Sequence, residues 1–275
     1  MHNFFMRFPK GKKKALTLSY DDGVKQDIRL IEIMQQNGLK GTFNINSGLF
    51  ATEEKPRGNR MTKEQATDLY TDSGMEVAVH GVNHLQMEQL PTHLCVSEAL
   101  KDRENLEEQF HTIIRGMAYP YGSYSDQVVE CLRNAGIVYS RTVRSTGNFQ
   151  IPRDWLRLEP TCHHDDKRLM ELAQKFVEED CTRAPWLFYV WGHSYEFDTK
   201  NNWNVIEEFA EYIGNREDVW YATNIEIYDY VKAYESLIYS ANGSRVYNPS
   251  AVCLYIENNG VTYEIAPGQE VCLGE

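Results

Sequence analysis

Asp21 and Asp22 close the apolar run "ALTLSY", and Gly23 follows them; His80 and His84 stand four positions apart after "MEVAV", with Gly81 between them. Two imidazoles and one carboxylate make a three-ligand set for a divalent ion, and the coordination position left over for water is what a catalytic ion requires. Neighbouring side chains diverge along an extended chain. One aspartate can therefore ligate while the other turns to water as a base, and Gly23 relaxes the backbone where the turn must be sharp. A further imidazole, His193, lies in "GHSYEFD" after the apolar run "WLFYVW". Plain structural readings stand beside these: "HGVNH" as a polar turn after a buried strand, and Asp22 as the cap of a helix beginning near Val24.

The elements that must carry these residues alternate between strand and helix. Strands are expected at 15–20 ("ALTLSY"), 40–46 ("KGTFNIN"), 75–79, "GMAY", "IVYS", "PWLFYVW" and "VWYAT". Helices are expected over 24–38, from a Thr62–Gln65 capping box to about Gly74, Thr92–Phe110, Ser125–Ala135, 165–179, 203–213 and about Asn224–Tyr239. Such alternation is the pattern of βα units around a parallel sheet or barrel. In that architecture functional side chains gather at the carboxyl ends of strands. Asp21 and Asp22, His80 and His84, the "PYGSY" turn and His193 all follow strand ends, so one rim is expected to receive them. Beyond residue 240 the texture turns to Val, Tyr and Ile with Asn-Gly and Pro-Gly turns. A barrel over 1–240 is expected, with 241–275 as a short β-rich C-terminal appendage packed on it.

Composition narrows the partners. With 28 Lys+Arg against 40 Asp+Glu the net charge is −12, which disfavours nucleic acid and anionic membranes as partners. No positively charged segment followed by an apolar stretch opens the chain, so no signal peptide is expected, and a cytoplasmic protein is. Six cysteines without a C-x-x-C pair read as reduced core residues.

"LTLSYDDG" resembles the first motif, T-F-D-D-G, of the polysaccharide deacetylases, the NodB-like carbohydrate esterases. "HGVNH" resembles their H-[ST]-x-x-H, "RGMAYPYG" their R-P-P-Y-G, and "VWGHS" their last, histidine-bearing motif. The resemblance spans about residues 15 to 222. It implies an α/β fold, a distorted (β/α)7-type barrel, and metal-dependent hydrolysis of acetyl groups, N-acetyl first, on a sugar or oligosaccharide. It implies Asp21 as general base, Asp22, His80 and His84 as ligands, Tyr121 as donor of an oxyanion NH, and His193 as general acid. The ion is zinc first, with cobalt, nickel or manganese as alternatives. Alanine (Ala118) stands where many relatives carry the motif arginine, so Arg115 is expected to orient Asp21. Asp154-Trp155 is the candidate for the fourth motif.

Trp191, Tyr195, Phe197 and Trp203 could stack on sugar rings or simply pack the core. Glu196 is expected to contact a substrate hydroxyl. "TCHHDD" offers Cys162, His163, His164, Asp165 and Asp166 as metal-binding atoms, but consecutive histidines point apart and an aspartate opening a helix is expected to cap it. Two rival functions remain, an amidohydrolase acting on a small non-sugar amide and a non-catalytic carbohydrate-binding barrel. Oligomeric state is unknown.

Overall fold

The structure is a computed structural model that describes residues 3–274. A first strand, β1 (Phe4–Arg7), stands apart from the main sheet. The main sheet is built from β2 (Lys14–Asp21), β3 (Gly41–Ile45), β4 (Glu76–Val79), β5 (Gly116–Ala118), β6 (Tyr139–Arg141), β7 (Cys162–His163), β8 (Trp186–Gly192) and β9 (Val219–Tyr221). Its order is β6-β5-β4-β3-β2-β8-β7, all parallel, with β9 added to the amino half of β2. It curls into a distorted, open (β/α) barrel. Every residue of β2 is buried, as expected for the central strand of a parallel sheet covered on both faces.

Helices α1 (Asp27–Gln36), α2 (Lys63–Tyr70), α3 (Thr92–Phe110), α4 (Asp126–Asn134), α5 (Leu169–Glu178), α6 (Tyr195–Lys200), α7 (Asn204–Ile213) and α8 (Asn224–Glu235) connect the strands. Leu16, Leu18, Phe43, Val79, Phe188 and Val190 from the sheet pack with Leu30, Met34, Leu106, Leu132, Phe176 and Phe209 from helices. Each such burial stabilises by roughly 1.5–3 kcal/mol. The capping box that opens α2 is formed: Gln65 NH donates to Thr62 Oγ1 (3.2 Å) and Thr62 NH to Gln65 Oε1 (3.0 Å). α1 begins at Asp27, three residues later than the sequence suggests, because Val24 forms an antiparallel bridge with Arg60 and Lys25 NH donates to Asn59 O (2.8 Å), which ties the chain to the loop before α2 first.

The helix expected to run to Tyr239 stops at Glu235, and β10 (Ile238–Tyr239) starts a small sheet with β11 (Arg245–Tyr247) and β14 (Glu270–Cys272). A second small sheet joins β12 (Leu254–Asn258) and β13 (Val261–Ile265) to β1. The amino-terminal strand is thus part of the C-terminal β structure. The buried Arg7 guanidinium grips Glu257 Oε2 (2.8 Å), and Tyr230 of α8 donates to Arg7 O (2.6 Å) while accepting from Tyr255 NH (3.1 Å). No helix among the described residues is long and apolar enough to cross a membrane.

Candidate active site

β2 delivers the adjacent carboxylates. Asp21 is the last residue of the strand; its Oδ1 accepts from Asn44 Nδ2 of the neighbouring strand β3 (2.9 Å). Its Oδ2 is gripped by Arg141, and stands 3.8 Å from both His80 Nε2 and His193 Nε2. Burial alone would raise the Asp21 carboxyl, but Arg141, His80 and His193 outweigh it and hold it at about 2. Asp22 adopts φ 87°, a conformation that costs most residues about 1–3 kcal/mol and that aspartate tolerates better than most. That turn sends its carboxylate away from Asp21's, toward His84 Nε2 (3.8 Å).

The histidine loop is braced by α3. Asp102 accepts from the NH groups of His80 (2.9 Å) and Ser47 (2.7 Å), and Glu98 accepts from Asn83 Nδ2 (3.2 Å) as well as its NH. His80 Nδ1 lies 2.8 Å from Ala118 O, so this nitrogen carries the proton and Nε2 is left with its lone pair toward Asp21 and Asp22. Burial lowers the pKa of both imidazoles, that of His84 to about 4, so each ring is neutral at neutral pH. Ligand atoms of Asp22, His80 and His84 all lie within 4.8 Å of one another. These residues fit a divalent ion. In the structure the positive charge beside Asp22 is Arg60, whose Nη2 donates to Oδ1 (2.7 Å). Arg60 comes from the loop before α2, and nothing in its local sequence marked it.

His193 follows β8. Its Nδ1 pairs with Glu196 Oε1 one helical turn on (2.8 Å), while Ser194 next to it donates to the buried Asp27 (2.5 Å). Burial would lower the His193 pKa, but Glu196, Asp21 and Asp22 more than offset it and raise it. Burial likewise opposes ionisation of Glu196; the surrounding nitrogens of His163, His164, His193 and Lys200 prevail and hold its carboxyl far below the usual range. Tyr121 sits at φ 57° in the turn after β5, its ring 4.4 Å edge-on from that of His84.

Four expectations need correction. Arg115 does not approach Asp21; it pairs with Asp229 of α8 (2.6 Å), because the start of β5 lies at the opposite end of the sheet from Asp21. Arg141 takes the place at Asp21, and its Cα partner in the sheet register is Ala118. The guanidinium has moved one strand over at the same level. Asp154 caps Leu156 NH (3.1 Å) and pairs with Arg157 (2.5 Å), so Glu196 is the carboxylate on His193. Glu196 is accordingly engaged with its protein partners and not turned to solvent. Trp191 is only 8% exposed and carries the Arg141 guanidinium over its ring at 4.4 Å, a cation–π support that leaves little face for a sugar. Phe197 and Trp203 are buried in the core, whereas Tyr195 stays partly exposed, its ring 5.2 Å from His193. A cavity of about 610 Å³ at the amino end of β8, lined in part by Phe149, Arg153, Lys175 and Trp186, contains none of these groups.

Two adjacent carboxylates and two loop histidines thus stand together at strand ends of an open (β/α) barrel. The polysaccharide deacetylase family model matches residues 9–140, just under half of the chain. The chain is 21% identical over 129 residues to the putative polysaccharide deacetylase YxkH of Bacillus subtilis, a match covering 46% of this chain and 44% of that protein, so the chain spans under half the length of this curated relative. Its fold is similar to that of a putative polysaccharide deacetylase from Mycobacterium smegmatis (16% identity, 83% of this chain, 93% of the other, TM-score 0.58). It is also similar to the family 4 carbohydrate esterase from Streptomyces lividans solved with acetate (15% identity, 76% and 92%, TM-score 0.51).

Proposed function

We propose that the chain is a metal-dependent deacetylase that removes acetyl groups, N-acetyl first, from a sugar or oligosaccharide. The observation that carries the reading is the position of Asp21, a buried anionic carboxylate whose Oδ2 lies 3.8 Å from a ligand-type imidazole, His80, and equally far from a second imidazole of opposite electrostatic tuning, His193. Asp22, His80 and His84 would hold the ion, zinc first. Bound there, a divalent ion supplies Lewis acidity that makes water a better nucleophile and polarises an acyl carbonyl.

The remaining work falls to the protein's own groups. Asp21, kept ionised by Arg141, accepts the proton that water gives up on attack. Tyr121, on the turn beside His84, offers its backbone NH to the developing oxyanion. His193, with its pKa raised by Glu196, donates a proton to the departing amine or alkoxide nitrogen or oxygen, without which an amine is a poor leaving group. Tyr195 borders His193 and contacts the sugar.

The test is Asp22→Ala against the parent protein: zinc stoichiometry by elemental analysis and acetate release from acetylated oligosaccharides. Loss of one tightly held ion together with a fall in rate of 100-fold or more is expected. Undiminished zinc binding and acetate release in that variant would overturn the reading.

A further inference from the structure

A second group of side chains adjoins His193: His164, Asp165 and Glu196, with His163 and Lys200 around them. The His164 side chain has no exposed surface. Its ring is held between those of Phe197 (4.3 Å, 29°) and Tyr20 (5.7 Å, 19°). The backbone of Gly192 closes the Nδ1 side, since a Cβ there would fall 2.0 Å from Nδ1. The ring is therefore fixed, with Nε2 facing Glu196 Oε2 at 3.4 Å and Asp165 Oδ1 at 3.7 Å. Neither ring nitrogen has the alignment of a hydrogen bond to any described group.

A buried polar group left without a partner costs about 1–3 kcal/mol, and folds seldom retain one that nothing satisfies. The spacing indicates what would satisfy this one. Donor atoms about 2.1 Å from a shared ion at tetrahedral angles stand about 3.4 Å from each other. We propose that His164 Nε2, Asp165 and Glu196 form a second divalent-cation site, distinct from that of Asp22, His80 and His84. Mixed imidazole and carboxylate donors suit zinc, cobalt or nickel. His163 accepts from Asp165 NH on Nδ1 (3.1 Å), so its Nε2 carries the proton and supports Glu196 as a donor rather than ligating. The ammonium of Lys200 occupies the cation position in the structure: it touches Asp165 and lies 2.8 Å from Glu196 Oε2. Its side chain is 46% exposed at the end of α6 and can swing into solvent, whereas His164 cannot move. The ammonium leaves His164 Nε2 unsatisfied; an ion at the same place would not. Because Glu196 also holds His193, occupancy of this site is coupled to the acid of the first.

The experiment uses the full chain, stripped by chelator and dialysed against zinc and, separately, cobalt, with bound ions counted by elemental analysis. Two ions are expected for the parent, one for Asp22→Ala/His84→Ala, and none when Glu196→Gln is added to that pair. Lys200→Met, which removes the competing ammonium, is expected to tighten the second ion at least 10-fold. The proposal falls if Asp22→Ala/His84→Ala, folded by circular dichroism, binds no ion at millimolar metal and Lys200→Met in that background also binds none. A single ion in the parent that survives Asp22→Ala/His84→Ala and is lost in Glu196→Gln would uphold this site while removing the metal from the proposed deacetylase centre.

Discussion

Arg141, at the end of β6, forms a buried ion pair with Asp21, at the end of β2, across three intervening strands. Both side chains are closed to solvent, so neither charge is compensated by water if the other is removed.

Arg141→Leu is accordingly expected to destabilise the fold by about 3–5 kcal/mol, the usual cost of stranding one member of a buried pair. With the guanidinium gone, burial acts unopposed by its largest counterweight and the Asp21 carboxyl rises from about 2. The acid limb of kcat/KM therefore moves to higher pH. In the parent, a carboxyl lowered from 3.8 to about 2 contributes stability fully present above about pH 4 and lost as pH falls through 2. Urea titrations of both proteins from pH 2 to 6, with a pH–rate profile, check this; an acid limb that does not move would refute it.

Glu196→Gln keeps an acceptor for His193 Nδ1 but removes the charge. The raised pKa of His193 is then expected to fall, bringing the alkaline limb of kcat/KM to lower pH and reducing the rate above neutrality by roughly 10- to 100-fold. The sign follows from the direction of the shift: a raised histidine stabilises fully below its ordinary value of 6.5, and that stabilisation fades as pH climbs through the folded value. NMR titration of the His193 ring reads the shift directly.

Arg115→Ala should change little. Its partner Asp229 is 45% exposed, and exposed pairs contribute about 0–1 kcal/mol. Acetate release within about twofold of the parent, and a melting temperature within a few degrees, are expected; a collapse in kcat would restore Arg115 to the site.

Gly192→Ala places a methyl against the fixed ring of His164, and the overpacking is expected to cost about 1–3 kcal/mol. Thermal unfolding of the variant measures it, and an unchanged midpoint would mean that the ring has room to move.

How much of this was legible in the sequence depended on whether the information was local. The capping box of α2, the span of α3 and the alternation of strands with helices follow from short-range patterns, and the carboxyl-end rule brought Asp21, Asp22, His80, His84 and His193 to one rim. Arg141 was missed because its relevance lies in register: only the pairing of β5 with β6 sets it level with Ala118, where a motif read along the chain found no arginine. A charged residue ending the apolar run "IVYSR" was the available signal. Glu196 was assigned outward because spacing of three residues on α6 did not reveal that His193 would turn back upon it. Arg60 arrives from a loop whose path depends on tertiary contacts, and no periodicity announces it.

The pairing of β1 with β12 sets an order of events during synthesis. Arg7 of β1 is made 250 residues before Glu257 of its strand partner, Leu254–Asn258. Until β12 is made, the open edge of β1 and the Arg7 guanidinium wait for it, so this small sheet closes only after the barrel segments between its two strands have been synthesised.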